Sequence, residues 1–530
     1  MMEKRNIPDN LDDMSDVKES YNALPYSSYS YSKSNPMHLS TIAKLVGMEP
    51  PPLKNAKVLE LGCASGGNII PFAMQYPESN IMGVDLSDVQ INKGIDFTKH
   101  LNIPNVDLLA CSIGDIDESF GKFDYIIAHG LYSWVNEPLK QKILSICNHN
   151  LNENGIAYVS YNTLPGWNNL MTIRDMALYH SQNFKAMDEK IDQTKSLLSF
   201  ISDAIKDNDS FYSKLIMQSV NLLTNKPNDY VAHEFLESEN TPCYFSEFIE
   251  KVNANNLRYV SDTNIASMFL DNYSEKISAK LKEINEVERM EQYLDFIVNR
   301  TFRSSILCHK SQKLDRSLDI KLAPHFRYKM DITKNENKDA NDQTSFTFLN
   351  NPDETIASDN PIMISLLSQL AKKYTFILFD DLLNILAAEY DTISRGEIKI
   401  QISQALIGFI LKGKIHIRYE EDGFNSPEIN KPKAWEYAAQ QCIDLNQNTV
   451  TNIFFETVQL TLFEFYLIRY LNGENTREDI LKSMVKHFKN GDLETKYGGK
   501  KVTSEEKLLG IISLTYIDAI ERLERQALLV

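Results

Sequence analysis

The chain has 530 residues and a formal net charge of −17, from 55 Lys and Arg against 72 Asp and Glu. That length exceeds one ordinary core and implies two to four domains, and the acidic balance argues against nonspecific binding to nucleic acid. Six scattered cysteines (63, 111, 147, 243, 308 and 442) form no C-x-x-C pair, so neither a disulfide framework nor a structural metal is expected and a reducing interior is. The start, Met1-Met-Glu-Lys-Arg-Asn-Ile-Pro, carries no apolar signal core, and no window approaches ~18 apolar residues. A soluble cytoplasmic protein without membrane insertion is the expectation.

Residues 1–50 open with Tyr21, Tyr26, Tyr29 and Tyr31 set among serines, then a helical pattern through Leu39, Ile42, Leu45 and Val46. This predicts a lid whose rings close over a ligand, followed by a helix. Next comes Lys57-Val-Leu-Glu-Leu-Gly-Cys-Ala-Ser-Gly-Gly-Asn68, read as strand, turn and helix N-terminus. The Gly62-x-Ala64-x-Gly66 turn is tighter than a G-x-G-x-x-G dinucleotide fingerprint and lets backbone press against a ligand. A second run, Asn80-Ile-Met-Gly-Val-Asp-Leu86, ends in Asp85, placed to take both hydroxyls of a ribose. The turn spacing and Glu60, whose carboxylate can face a cationic methionyl group, favour S-adenosylmethionine over a dinucleotide. Taken alone, the turn also suits an ordinary strand-to-helix connection.

Strands are predicted at Val58 to Leu61, Ile81 to Asp85, Val106 to Ala110, Phe123 to Ala128 and Gly155 to Ser160, alternating with helices. Such alternation implies a parallel sheet covered on both faces, with ligands beyond the carboxyl ends of its strands. After the third strand, Ser112 and Ile113 are candidates to flank an adenine. After the fourth and fifth come two aromatic loops, His129-Gly-Leu-Tyr-Ser-Trp134 and Tyr161-Asn-Thr-Leu-Pro-Gly-Trp167. Aromatics after strands also serve to close cores.

The Gly62 turn resembles motif I of class I methyltransferases, with Ala64 in place of the middle glycine. The phrases Tyr125-Ile-Ile-Ala-His-Gly-Leu-Tyr-Ser-Trp-Val135 and Tyr158-Val-Ser-Tyr-Asn-Thr-Leu-Pro-Gly-Trp167 resemble those of bacterial methyltransferases with a regulatory domain, above all the rickettsial protein-lysine methyltransferases. That resemblance spans the whole chain. It implies methyl transfer from S-adenosyl-L-methionine, leaving S-adenosyl-L-homocysteine, to lysines of a large surface protein, outer membrane protein B, by a homodimer. The segment after the fourth strand lacks the Asn/Asp-Pro-Pro-Tyr/Phe signature of enzymes that methylate base amino groups, so no specific nucleic acid is expected. A small-molecule or lipid methyltransferase would use the same motifs, and a cofactor-sensing DNA-binding regulator would use the C-terminal domains; the extra domains oppose the first and the acidic charge the second.

Cofactor contacts are expected from Tyr26, Glu60, Gly62, Ala64, Gly66 and Asn68, and from Asp85, Leu86, Ser112, Ile113 and His129. Tyr29, Tyr132, Trp134 and Trp167 are the candidate walls of an acceptor channel, with His129 as a polar positioning group there.

Beyond Trp167 the pattern turns helical. The core resumes at Phe245 to Val252, a last core helix, and closes with antiparallel strands at Leu257 to Val260 and Arg303 to Cys308, a further helical stretch from Asn264 to Val298 lying between them. The polar residues 332–360 read as a loop or linker. Helical patterns at Pro361 to Leu370, Asp381 to Leu386 and Ile400 to Leu411 precede an alternating Gly413 to Arg418, and a similar set recurs at Leu462 to Leu471, Thr476 to Phe488 and Leu508 to Leu528. The fold expected is an α/β class I (Rossmann-like) methyltransferase core with helical insertions, followed by two mainly α winged-helix-like domains. The boundaries are 1–50 for the lid and helix, 51–167 for the cofactor-binding core and 168–235 for a helical insertion serving dimerisation or regulation. The end of the core with its second insertion takes 236–315, the middle domain 316–430 and the C-terminal domain 431–530.

Overall fold

A computed structural model describes residues 22, 28–224, 226–337, 342–372, 375–420, 431–497, 500–502 and 504–530. Its centre is a seven-stranded sheet of β1 (Lys57–Leu61), β2 (Asn80–Asp85), β3 (Val106–Ala110), β4 (Phe123–Ala128), β5 (Leu151–Asn162), β6 (Leu257–Asp262) and β7 (Phe302–His309), in the order β3-β2-β1-β4-β5-β7-β6. The first five strands run parallel, and β7 lies antiparallel between β5 and β6. Every strand predicted for this core is present, and β5 extends beyond its predicted ends. Val58, Leu59, Glu60 and Leu61 of β1 are all buried, as a central strand covered on both faces requires. Strand order reverses between β1 and β4, and the carboxyl edge there is where an open α/β sheet takes its ligand.

Helices Trp167–Ser181, Met187–Ile205 and Phe211–Thr224, with the π-helical turn Ala232–Leu236, form the first insertion. Its own small core joins Ile173, Leu198, Ile216, Val220, Leu223 and Phe235. The last core helix, Phe245–Ala254, follows as expected. The stretch from Asn264 to Val298 is not one helix: short 3-10 turns lead to helices Glu275–Leu281 and Val287–Val298. Arg303 of β7 reaches the last of these, its guanidinium held at 2.9 Å by Glu291 and 2.7 Å by Asp295, all three fully buried.

Past the core, β8 (Arg327–Lys329) precedes a three-stranded antiparallel sheet of β9 (Ile332–Lys334), β10 (Thr344–Phe348) and β11 (Asn351–Ser358). This corrects the loop or linker expected at 332–360. Ile332, Phe346 and Phe348 turn into the core while the residues between them stay polar, so a half-buried sheet lies inside a polar run. Helices Pro361–Lys372, Phe379–Glu389 and Arg395–Leu411 pack with β12 (Ile377–Leu378), β8 and β13 (His416–Arg418), as three helices and a strand wing. The C-terminal part adds helix Glu436–Asp444 to the expected Leu462–Leu467, Arg477–Asn490 and Glu505–Arg525. Its apolar core takes in Ile70, Phe97 and Leu101 from the helices flanking β2. Among the described residues no helix is long and apolar enough to cross a membrane.

Candidate active site

At the carboxyl edge of β1 the chain turns through Gly62 (φ +72°), Ala64 (φ +49°) and Gly66 (φ +79°). A left-handed alanine is strained, and a hydrogen bond holds it: Ala64 N donates to Asp85 Oδ2 at 2.8 Å. Asp85 Oδ1 accepts from Ser87 N at 2.9 Å, so this carboxylate ties the ends of β1 and β2 together. Burial raises its pKa against the pull of those backbone donors.

Glu60 is 3% exposed. Asn68 Nδ2 donates to its Oε1 at 2.6 Å, while Oε2 is buried without a hydrogen-bond partner. Burial, reinforced by the negative charge of Asp85, pushes the Glu60 carboxyl up to about 8 despite the Asn68 hydrogen bond. An orphaned acidic oxygen of this kind fits a cationic donor such as the ammonium of a methionyl group. Asn68 Oδ1 in turn accepts from Tyr31 N at 2.9 Å and Ser34 Oγ at 3.2 Å, and Gly67 N donates to Ser28 Oγ at 2.8 Å. These bonds fasten the segment carrying Tyr29 and Tyr31 over the turn.

A cavity of about 350 Å³ collects these groups. Glu60, Gly62, Ala64, Asn68, Asp85 and Leu86 line it from the first two strands, Ser112 and Ile113 from beyond β3, His129 and Trp134 from beyond β4, and Tyr29 from the N-terminal segment. The Tyr31 and His129 rings lie with centroids 3.8 Å apart. His129 Nδ1 lies 2.9 Å from the Tyr158 hydroxyl, and burial lowers its pKa to about 4, so the imidazole is neutral at pH 7.

Two channel candidates fall elsewhere. Tyr132, 1% exposed, packs edge-on against Phe248 at 5.3 Å and beside Tyr161 at 6.0 Å, and Trp167, 4% exposed, starts a helix of the insertion. Neither lines the cavity. Tyr132 and Trp134 share one 3-10 turn, whose successive residues face different ways, so Tyr132 closes the core while Trp134 reaches the cavity. Gly66 shapes the turn without lining the cavity, and Tyr26 lies outside the described residues.

Sequence reading missed Ser28, Tyr31, Gln90, Asn162, Glu234 and Phe302 as lining residues. Tyr31 had a signal in the tyrosine-rich lid pattern; Glu234 and Phe302 come from segments remote from the motif. A second cavity, about 490 Å³, shares Tyr31, His129 and Phe302 with the first, and a third, about 540 Å³, meets the second at Lys33, Thr263, Asn264, Phe455 and Glu456. The three cavities therefore adjoin one another in sequence, with the Tyr31 and His129 rings between the first and the second.

Three family models match the chain: "Methyltransferase domain" at 58–155, "Predicted methyltransferase regulatory domain" at 227–309 and "PKMT, C-terminal winged helix domain" at 430–528. Uncharacterized protein RP789 of Rickettsia prowazekii is 36% identical over 517 residues, 96% of this chain and 93% of that protein. The structure of PKMT2 from Rickettsia typhi superposes with a TM-score of 0.87 at 34% identity, over 95% of this chain and all of that one. The chain belongs to the rickettsial protein-lysine methyltransferase family. It is a methyltransferase of the protein-lysine type, and the sheet, the regulatory segment and the C-terminal winged helix of the PKMT family are all in place. PKMT2 from R. typhi has also been solved in complex with AdoHcy, again at a TM-score of 0.87 and with 35% identity.

Proposed function

We propose that this enzyme transfers methyl groups from S-adenosylmethionine to lysine ε-amines of a large surface protein resembling outer membrane protein B, acting as a cytoplasmic homodimer. One observation carries the cofactor assignment: Glu60, with an unpartnered buried oxygen, and Asp85, at the end of β2, border one cavity. Glu60 receives the methionyl ammonium and Asp85 the ribose hydroxyls, both as charge-assisted hydrogen bonds. Ser112 and Ile113 flank the base. Bound there, the cofactor supplies a sulfonium methyl that an amine attacks in line, which moves one positive charge from sulfur to nitrogen.

The residues around that methyl hold the amine at near-attack distance and keep water away, contributions that reach ~7 to 11 kcal/mol at the favourable limit. A free lysine has a pKa of about 10.4 and must arrive neutral; a desolvated site beside a cation lowers that value. Tyr29, Tyr31 and Trp134 are the aromatic walls in reach, and aromatic faces attract the methylated ammonium product. His129, neutral at pH 7 and bound to Tyr158, positions rather than deprotonates. An extended polypeptide would approach along the adjoining cavities beyond Tyr31 and His129. The six cysteines are all free, which suits a reducing compartment.

The deciding experiment offers labelled S-adenosylmethionine and an unfolded fragment of outer membrane protein B, with a lysine-blocked fragment as control. Label on lysine ε-nitrogen in the first sample alone is the expected result, and mass spectrometry reads how many methyls each lysine carries. Cofactor binding without transfer would overturn the substrate.

A further inference from the structure

Three carboxylates border the cavity: Glu60, Asp85 and Glu234. The first two are committed to the motif end, Glu60 to Asn68 and Asp85 to the backbone of Ala64 and Ser87. Glu234 comes from the helical insertion. It sits on the π-helical turn Ala232–Leu236, whose other four residues are buried, and Phe235 anchors the turn in the insertion's core. π-turns of this kind occur often where a helix must re-aim a side chain at a functional site.

Among the described residues no hydrogen bond or ion pair engages the Glu234 carboxylate. The positive charge that acts on it is Arg174, whose guanidinium donates to the backbone carbonyls of Glu237 and Ser238. Asp85 raises the titration of Glu60, whereas Glu234 responds to its own burial and to Arg174, and both Glu60 and Glu234 reinforce the burial that pushes up the phenol of Tyr31. The same cavity presents Tyr31, Trp134 and Phe302, and the charge of Glu234 acts on Tyr31. A carboxylate in a cavity that also carries aromatic rings, its nearby guanidinium engaged by backbone carbonyls, is the chemistry that recognises an alkylammonium group.

We infer that Glu234 is the acceptor-binding residue, taking the ε-ammonium of the incoming lysine by a charge-assisted hydrogen bond and orienting its nitrogen in the cavity. This deepens the lysine reading above and rests on it. Burial pushes the Glu234 carboxyl up to about 7 against the pull of Arg174, and its ionised form selects lysine over neutral and acidic side chains. The bound ε-ammonium must first give up one proton to water; from the neutral amine, which keeps an N–H donated to Glu234, positive charge grows on the nitrogen as it acquires the methyl, and an ionised carboxylate held there stabilises that state more than the neutral amine.

The test titrates n-butylammonium, a lysine side-chain mimic, into the full-length protein saturated with S-adenosylhomocysteine, using wild type, Glu234→Gln and Glu234→Asp. Wild type is expected to bind, Gln to weaken binding about tenfold or more, and Asp to recover part of the loss. In turnover with a lysine-bearing protein, Gln raises KM more than it lowers kcat, while the affinity for S-adenosylhomocysteine stays within about threefold. Unchanged butylammonium affinity and KM in Glu234→Gln would overturn the assignment and leave lysine methylation standing. Butylammonium binding that depends on Glu234, in a wild-type protein that labels no lysine, would overturn the lysine reading and leave the cation site standing. Loss of both in wild type would overturn both.

Discussion

Asn68 donates to Glu60 at 2.6 Å and, through its other amide atom, accepts from the backbone of Tyr31 at 2.9 Å. One side chain thereby connects the buried acid of β1 to the N-terminal segment over the cavity. Asn68→Ala removes the partner of Glu60 Oε1, leaving both carboxyl oxygens unpaired, and at the same time releases Tyr31. The expected outcome is cofactor affinity lowered on the order of tenfold to a hundredfold in a calorimetric titration, with the fold retained by circular dichroism.

Glu60 makes cofactor binding proton-linked. With its carboxyl pushed up to about 8, the cofactor-free site holds a proton at pH 7 that a methionyl ammonium displaces. Affinity should rise by up to about tenfold per pH unit and level off above about pH 8. Calorimetry in buffers of different ionisation enthalpy reads the released proton directly, and Glu60→Gln abolishes it. Stability of the cofactor-free protein moves the opposite way. The folded pKa lies above the unfolded value of 4.5, so the contribution is full below about pH 4.5 and lost as pH rises through about 8. A series of urea midpoints across that window should fall in wild type and stay flatter in Glu60→Gln.

Asp85 combines a ligand role with a scaffold role. Asp85→Asn keeps one acceptor oxygen for Ala64 or Ser87 but removes the charge that strengthens hydrogen bonds to ribose hydroxyls. Binding of S-adenosylhomocysteine should weaken by about a hundredfold, with Asp85→Ala worse because Ala64 then loses its tether. Unchanged affinity in the Asn variant would take Asp85 out of the cofactor site.

Gly67 is the point where the N-terminal segment touches the turn. A Cβ there would lie 2.6 Å from both the carbonyl oxygen and Oγ of Ser28, a contact that forces the segment off. Gly67→Ala should lower cofactor affinity roughly tenfold and hasten tryptic cleavage at Lys33, at a cost to stability of about 1 kcal/mol or less. Equal cleavage rates in variant and wild type would mean that the segment does not depend on this contact.

Arg303 is fully buried against Glu291 and Asp295. Arg303→Met strands Glu291 in the interior and leaves Asp295 to Arg300 alone, at 2.6 Å, and should cost about 3–5 kcal/mol in denaturant unfolding. Burial already pushes Glu291 up to about 7, so part of that loss should be recovered in acid, where the stranded Glu291 carboxyl protonates.

The first insertion exposes large aromatic side chains: Tyr179 (77%), Phe200 (69%) and Phe211 (82%). Such exposure on neighbouring helices is a surface on which the homodimer implied by the family resemblance could form. Phe200→Glu with Phe211→Glu should shift the mass in sedimentation from two chains to one while leaving S-adenosylhomocysteine affinity unchanged. A wild-type protein that sediments as one chain would remove the dimer.

The core was legible because its signals are local. β1 is an unbroken apolar run around one acid, the turn beside it is spelled in small residues, and Asp85 ends the next strand. The β9 to β11 sheet was not legible. Its apolar side chains, Ile332, Phe346 and Phe348, are few and widely spaced among polar residues, and the turn-forming Asn and Asp between them dominate any local reading. Tyr132 and Trp134 stand two residues apart in one loop with opposite fates, a distinction set by packing against Phe248 and not by residue type. Glu234 could not be tied to Glu60 from sequence at all. Nothing near it advertises a ligand, and only the folding of the insertion over the sheet edge brings it to the cavity.

Ile70, Phe97 and Leu101 belong to helices of the nucleotide-binding sheet, yet they are covered by residues from Ala434 to Leu529, and the hydroxyl of Tyr437 donates to the carbonyl of Gly67 at 3.3 Å. The cofactor turn is thus braced from behind by a residue 370 positions along the chain. A chain cut before Ala434 would leave three apolar side chains of the sheet's own helices in water and the loop behind Gly67 without its support, so the last winged helix is part of the catalytic core's packing.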